Sequence, residues 1–553
     1  MQKKRIALHP KKRIVILGGG FSGVYTAMHL EKLMGKQDDY EIVLVNKDNY
    51  FIYQPMLAEV VGGSLSLFDT VSPLKRLLPK TTLFIRDIYS IDIPSKTVTL
   101  SPKFSHSTHT ISYDHLVLAL GNVTDFKGIP GIHEHALPFK SLADAVAIRN
   151  RIIEVLEAAA SEDDLEEKKA LLSFVIGGGG FSGVEVGAEV NDFARKLAKA
   201  YPSIDPSMIR VVLAHKQHRL MERELSESLS AYSAKILRKR GVEIRFQQCL
   251  TSASPNEAVL DGKEMIPAKT IISTVPSSPN PLIATLPFAL SHGKIKTDSH
   301  LLVEGCQDVW AIGDCASVPV EESVAPPTAQ FAIREAKTLA SNIAATIRGK
   351  KLSSFHFKTI GMLGALGHQC AVAEFFGKIK ISGFFAWLMW RAIYWMKLPG
   401  IDRKLKVMFS WLLDMIIPIE SVQLQMTSSQ GITHLHYQKG ETIFHEGDLG
   451  DYLYIIVRGD IEVLKQMNGV NTRIATLSAG EYFGEMALLN ETRRIATTKC
   501  LSEVDVLALK KQDFGALLAN LPELKHGFER TNHERAEMLK SLNASKQGDS
   551  KTA

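Results

Sequence analysis

Two turns with the same six residues, Gly18-Gly19-Gly20-Phe21-Ser22-Gly23 and Gly178-Gly179-Gly180-Phe181-Ser182-Gly183, stand about 160 residues apart in a chain of 553. Each follows a short apolar run (Arg13 to Leu17; Ser173 to Ile176) and opens a segment of helical character. A further apolar strand follows each helix, at Glu41 to Val45 and at Ile209 to Leu213. This is the start of a βαβ unit, written twice. In G-x-G-x-x-G the first glycine (Gly18, Gly178) makes a tight turn. The second (Gly20, Gly180) lets a pyrophosphate approach the backbone, and the third (Gly23, Gly183) lets helix pack on strand. The phosphates then sit at a helix N-terminus, where free N–H groups and the dipole favour negative charge. Two such units in one chain imply two dinucleotides, one held and one exchanged, and FAD with NAD(P)H is the economical pair.

Other classes are disfavoured. Five cysteines (Cys249, Cys306, Cys315, Cys370 and Cys500) are widely spaced, with no C-x-x-C. That argues against a disulfide framework, a metal site, or a flavin reacting through a cysteine pair. A net charge of +6 is mild for this length and does not indicate nucleic-acid binding. The basic start, Met1 to Arg13, lacks the apolar core of a signal peptide. The acidic stretch Ser161 to Glu167 is expected to be a solvated turn.

The second half changes character. Trp387, Trp390, Trp395 and Trp411 are four of the five tryptophans and lie within 25 residues, among Phe384, Phe385, Tyr394 and Phe409. Lys378, Lys380, Arg391, Lys397, Arg403, Lys404 and Lys406 accompany them against one acid, Asp402. The most apolar window, 381–396, is shorter than the ~20 residues a spanning helix requires. Residues 378–411 are therefore expected to lie in a membrane surface rather than to cross it, with an aromatic core helix or subunit interface as the alternative. Beyond Pro418, short strands broken at Gly440, Gly447, Gly459, Gly469 and Gly480 predict a small β-roll over 432–512. A charged helix over about 513–542 and a polar tail are expected to follow. No helix-turn-helix follows, which argues against a transcription factor.

Over about residues 12–415 the chain resembles the two-dinucleotide-binding-domain flavoproteins, and more closely the type II NADH:quinone dehydrogenases. Beyond the glycine turns, the resemblance is carried by Asn49 to Leu57, Leu118 to Gly121, Trp310 to Asp314, Pro326 to Gln330 and Gly183 to Glu189, with Ile381 to Trp390 similar to that family's membrane anchor. It implies FAD contacts at Gly121, Gly313, Asp314 and Ala329. Gln330 would touch the flavin pyrimidine edge or a quinone carbonyl, and Glu185 would serve the proton side of quinone reduction. Asp314 could otherwise be a helix N-cap, and Glu185 with Glu189 a solvated helix face. Two positions depart from the pattern. A ribose-binding acid usually ends the second strand, but Asn46 stands there in the first unit, and His215 followed by Lys216 in the second. Asn46 can still hydrogen-bond the ribose. His215 and Lys216 would not repel a 2′-phosphate, so NADPH is expected to be tolerated beside NADH.

Over about 425–540 the chain resembles cyclic-nucleotide-binding domains, through Phe483 to Leu489 and Arg494 to Thr497. There Arg494 would pair with the cyclic phosphate and Glu485 would accept from the ribose 2′-OH. Gly484, Ala487 and Ala496 would keep the cradle open; Arg493 leaves the register uncertain by one residue. cAMP and cGMP are not separated.

The expected fold class is α/β: two Rossmann-type dinucleotide-binding domains, an amphipathic membrane-associated segment, and a β-roll cyclic-nucleotide-binding domain. The expected boundaries are an FAD-binding domain over 12–125 and 286–350 and an NAD(P)H-binding domain over 126–285. The membrane segment follows over 351–420, the cyclic-nucleotide domain over 421–542, and a disordered tail over 543–553. The resemblance implies hydride transfer from NAD(P)H to FAD and then two electrons to quinone, without proton pumping, at the cytoplasmic face of the inner membrane. A homodimer is compatible with the sequence. A low-turnover redox or cyclic-nucleotide sensor, a sulfide:quinone oxidoreductase-like enzyme, and a reductase with another acceptor are the alternatives.

Overall fold

The computed structural model describes residues 12–34, 39–101, 109–126, 128–274, 278–321, 323–416, 422–423, 432–448, 450, 452–467, 470–489, 493–510, 514, 530–531, 535 and 537. The basic start before Lys12, Gly469, the tail after 542 and most of the expected charged helix lie outside these residues.

Each glycine turn nucleates its own five-stranded sheet, with the turn-bearing strand at its centre. In the first the order is Val309–Ala311, His115–Leu118, Lys12–Leu17, Tyr40–Asn46, Thr82–Ile85, all parallel. In the second it is Ala136–Pro138, Thr270–Ser273, Ser173–Gly177, Arg210–His215, Val242–Phe246, again all parallel. The central strands are buried on both faces, as continuous apolar runs require. The chain crosses between the sheets as a two-stranded pairing of Asn122–Val123 with Ser278–Pro279. The stretch expected to be only a turn at 161–167 instead leads into a helix, Leu165–Leu171, whose first N–H groups Asp164 caps.

A three-stranded antiparallel sheet, Gly361–Ala365, Ala371–Phe375 and Ile379–Gly383, leads into two helices, Phe384–Lys397 and Ile401–Asp414. Gly383 and Gly400, at φ +77° and +91°, make the turns that start them, a backbone region costly for any residue with a Cβ. Among the described residues no helix is long and apolar enough to cross a membrane.

This helical hairpin corrects one expectation. Trp387 and Trp390 do not form a surface belt: they are 6% and 2% exposed and pack in the core. Arg391 and Arg403 are buried too, Arg391 on Glu59 and Arg403 on the carbonyl of Phe68. The outer face is instead Phe384, Phe385, Leu388, Met396, Ile401, Leu405, Phe409, Leu412 and Leu413, all exposed.

The C-terminal unit is a roll of two four-stranded antiparallel sheets with its own core of Tyr437, Tyr454, Ile461, Phe483, Val504 and Val506. A short helix, Glu485–Leu489, follows Gly484.

Candidate functional site

The two glycine turns have the same construction. Gly18 N–H donates to Val45 O and Gly178 N–H to Ala214 O, both at 2.9 Å, tying each turn to the neighbouring strand. The next N–H in each is taken by the side chain that ends that strand: Gly19 donates to Asn46 Oδ1 (2.9 Å) and Gly179 to His215 Nδ1 (3.0 Å). The two positions that depart from the acidic pattern thus brace the turns. Accepting through Nδ1 leaves the proton of neutral His215 on Nε2, a buried atom beside the Arg219 backbone.

Both cradles fit a pyrophosphate. A Cβ on Gly23 would meet Gly18 O at 1.9 Å and one on Gly183 would meet Gly178 O at 1.8 Å, so only glycine allows this helix-on-strand approach. In front of Gly20 nothing lies within 4 Å, and in front of Gly180 only Glu224 Oε1 at 3.7 Å. The helices Phe21–Leu33 and Phe181–Ala198 have no side-chain N-cap, so their first N–H groups remain available to an anion.

Opposite the first turn lies the strand end Val309–Ala311 and a 3₁₀ turn, Gly313–Cys315. Asp314 sits inside that turn and caps no helix. Burial raises its pKa, against the pull of Lys294 and Lys140. Asn122 Nδ2 donates to its carboxylate (3.4 Å), while Asn122 Oδ1 is buried and, among the described residues, has no hydrogen-bond partner. Gly313 N–H donates to Glu335 (2.7 Å), a carboxyl that burial pushes up to about 7. Gly121, at φ +61°, faces open space. Asp314, Asn122 and Gly313 thus gather beside the first turn, where a Cβ on Gly313 would meet Ser22 Oγ at 2.1 Å.

Between the two turns lies a cavity of about 630 Å³. Both phenylalanines of the turns, Phe21 and Phe181, line it, with Tyr53, Ala329, Gln330, Tyr394 and Glu185. His29, Lys32, Arg334, Lys337 and Lys397 also line it, giving it cations beside an apolar interior. Gln330 is held by its Nε2, which donates to Gly361 O (2.7 Å), leaving its own amide oxygen as acceptor. Glu185 and Glu189 do share a helix face, but it is not solvated: Glu185 lines the cavity and Glu189 is buried. Desolvation pushes the Glu185 carboxyl up to about 8, against an N–H donated by Ala365 (3.0 Å), and raises Glu189 well above the ordinary carboxyl value. A carboxylic acid that keeps its proton at neutral pH therefore opens into the cavity between the cradles.

A second cavity, about 180 Å³, lies in the roll and is lined by Gly484, Glu485, Ala487, Arg494, Ala496 and Phe444. Arg494 faces inward and Arg493 outward, so the inner arginine is Arg494. Its guanidinium lies 4.1 Å from the Phe444 ring centre and donates to Gly484 O and Tyr452 O (both 2.8 Å). A Cβ on Gly484 would meet Arg494 Nη1 at 2.6 Å. Glu485 is buried and accepts from Arg535 (2.7 Å), a partner 50 residues on that no local motif signalled. Glu59, which holds Arg391, is likewise absent from the sequence reading; the signal was a lone cation inside an apolar window.

A profile of the pyridine nucleotide-disulphide oxidoreductase family matches residues 12–336, and one of the cyclic nucleotide-binding domain matches 434–520. The demethylphylloquinone reductase of a Synechocystis strain is 30% identical over 412 residues, covering 73% of this chain and 96% of the relative. The type II NADH:quinone oxidoreductase NdhA of Mycobacterium tuberculosis is 29% identical, covering 73% and 87%. The structure of NDH2 from Plasmodium falciparum in complex with NADH superposes with a TM-score of 0.69 at 18% identity, covering 74% of this chain and all of that one, a likeness of fold. The chain thus belongs to the pyridine nucleotide-disulphide oxidoreductase family, among the type II NADH:quinone oxidoreductases, and carries a cyclic nucleotide-binding domain behind that part.

Proposed function

We propose that this is a membrane-peripheral, FAD-dependent NADH:quinone oxidoreductase whose turnover a cyclic nucleotide modulates. The observation that carries the reading is the Glu185 carboxyl, which burial pushes up to about 8, lining a cavity between two matching phosphate cradles. In the first cradle Gly18, Gly20, Gly23, Asn46, Gly121, Gly313, Asp314 and Ala329 would hold FAD. In the second Gly178, Gly180, Gly183 and His215 would hold NADH. FAD bound there supplies the two-electron chemistry between nicotinamide and quinone.

The overall change, NADH + H⁺ + quinone to NAD⁺ + quinol, consumes one proton beyond the hydride. Glu185 holds a proton at neutral pH and lines the cavity in which the acceptor would sit, which suits it to deliver that proton. Gln330 offers its amide oxygen to a flavin edge or a quinol hydroxyl. Lys397 and its neighbouring cations favour the electron-rich form of the acceptor as charge develops. The apolar outer face of 384–413 would seat the cavity on the bilayer from which quinone arrives, at the cytoplasmic face where NADH is available.

At the second cradle, His215 and Lys216 carry no negative charge to repel a 2′-phosphate, so NADPH serves as a slower donor. In the roll, Arg494, Glu485, Gly484, Ala487 and Ala496 would take the cyclic phosphate and ribose of cAMP or cGMP. The test is purification with membranes, an absorbance spectrum, and NADH-driven quinone reduction with and without each nucleotide. A flavin spectrum with quinone-dependent NADH oxidation is expected. Colourless protein that FAD does not reconstitute overturns the reading.

A further inference from the structure

The roll grips the second nucleotide-binding unit. Glu441 Oε1 accepts from Ser254 Oγ (3.0 Å) and from Asn256 Nδ2 (2.8 Å), while its other oxygen accepts from Gln438 N (2.9 Å). Beside it His436 N–H donates to His135 Nε2 (2.8 Å), and His434 lies 3.3 Å from Glu134. Asn256 is braced from behind by Lys269 Nζ (2.7 Å). Ser254 is 2% exposed; its oxygen accepts from Asn256 N (3.3 Å) and Glu257 N (3.2 Å), and its O–H donates to Glu441.

Each side of this contact runs directly into a ligand site. On the roll side, Glu441 is the residue before the strand Thr442–Phe444, and Phe444 is the ring beneath the Arg494 guanidinium. That strand pairs with Thr497–Cys500, which contributes Thr498 to the cavity, and Cys500 N–H donates to Glu441 O (2.8 Å). On the other side, Ser254 directly follows the strand Leu250–Ala253. Leu250 lies so close to Gly177 that a Cβ there would come within 3.2 Å of it, and Gln248 N–H donates to His215 O (3.2 Å). Gly177 and His215 are the backbone on either side of the second glycine turn.

We propose that Glu441 is a positioning residue for the pyridine-nucleotide site. By holding Ser254 and Asn256 it sets the strand Leu250–Ala253, and through it the backbone at Gly177 and His215. A cyclic nucleotide that moves Phe444 and its strand is then felt as a changed affinity for NADH, not for quinone. This rests on the reading that the roll binds cyclic nucleotide and the second turn NADH.

The experiment uses the full-length, FAD-loaded enzyme with the variants E441A, E441Q and, from the other side of the contact, N256A. The readouts are KM for NADH, KM for a short-chain quinone, kcat, melting temperature, the Kd of NAD⁺ with and without saturating nucleotide, and the Kd of cAMP and cGMP with and without saturating NAD⁺. Parent enzyme should show a nucleotide-induced shift in the Kd of NAD⁺ of about 5- to 150-fold, matched by the shift NAD⁺ causes in the nucleotide Kd because coupling of binding is reciprocal, and an NADH KM that moves with it. E441A and N256A should displace the NADH KM and abolish both shifts, with quinone KM and kcat within about twofold of parent, inside the range of uncoupled sites. E441Q, which keeps an acceptor oxygen, should restore part of the effect. Well-folded E441A and N256A with parental NADH KM overturn the proposal, as does a nucleotide that binds but moves only kcat or quinone KM. If neither nucleotide binds the parent, the nucleotide reading falls and takes the regulatory half with it, while the KM comparison still judges Glu441.

Discussion

Arg391 Nη2 lies 3.0 Å from Glu59 Oε1, and the two side chains, 332 residues apart, are only 9% and 6% exposed. Trp387 and Trp411 stack on the guanidinium from 4.1 and 4.7 Å, and Trp411 Nε1 donates to the other Glu59 oxygen (3.0 Å). Burial raises the Glu59 carboxyl while Arg391 pulls it down. The pair pins the outer helical hairpin to the helix Leu57–Gly62, one wall of the cavity that holds Glu185.

Removing one partner strands a charge in the core. R391L is therefore expected to destabilise the enzyme by about 3–5 kcal/mol, and the double variant R391L/E59L to recover only part of that, since the buried Asp414 carboxylate, 4.0 Å from Arg391 Nη2, is still left without its cation. Urea unfolding of the FAD-loaded protein measures both. A loss below about 1 kcal/mol for R391L would place this pair with solvent-exposed ones.

Glu185 gives a pH prediction with a definite sign. Its folded pKa, about 8, exceeds the ordinary carboxyl value of 4.5, so the protonated form persists through neutrality. Quinone reduction that uses this proton should hold steady below pH 7 and fall as pH rises through about 8. E185Q should lower kcat on the order of 100-fold and remove that limb, leaving NADH oxidation in a single turnover without quinone unchanged. Stability has its own sign: the unfolded chain loses this proton near 4.5 while the folded chain keeps it to about 8, so folding weakens across that window. E185Q should then melt higher than parent at pH 8, and a parental pH profile in E185Q would remove Glu185 from the proton path.

The glycine turns were legible because their demand is local: a position where a Cβ would strike a carbonyl is written as glycine in the chain itself. Asn46 and His215 were legible as positions for the same reason, though not as braces, because the N–H groups they accept from lie 27 and 36 residues earlier. The orientation of the tryptophans was not legible. Helical period fixes which residues share a face, but only the tertiary partner decides which face turns inward, and that partner, Glu59, sits in a helix 332 residues earlier in the chain. Arg535 at Glu485 is hidden in the same way.

The hairpin makes a prediction opposite to one drawn from composition alone. Phe385 is 74% and Leu412 51% exposed, whereas Trp390 is 2% exposed. If the outer face rests on lipid, each apolar side chain withdrawn from water is worth about 1.5–3 kcal/mol, so F385E with L412E should bind anionic vesicles at least about tenfold more weakly than parent. W390A should instead cost about 3–5 kcal/mol of folding stability while the folded fraction keeps its vesicle binding. Co-sedimentation with vesicles of mixed neutral and anionic lipid separates the two. Parental binding by F385E/L412E beside lost binding by folded W390A would return the tryptophans to the interface.

In the roll, the Arg494 fork already has partners on two carbonyls and the Phe444 ring, so a cyclic phosphate would meet a cation fixed in place and would forfeit little side-chain entropy on binding. A hydrogen bond to a charged group contributes about 1.5–3 kcal/mol, which makes R494A weaker for cAMP and cGMP by about 10- to 150-fold. R494K keeps the charge but not the planar fork, so it should fall between the two. R493A, on the outward-facing neighbour, should bind as parent does. Displacement of a fluorescent cyclic-nucleotide analogue reads all three. Binding lost in R493A and kept in R494A would move the phosphate contact one residue back along the chain, and with it the alignment of the whole cradle from Gly484 to Ala496.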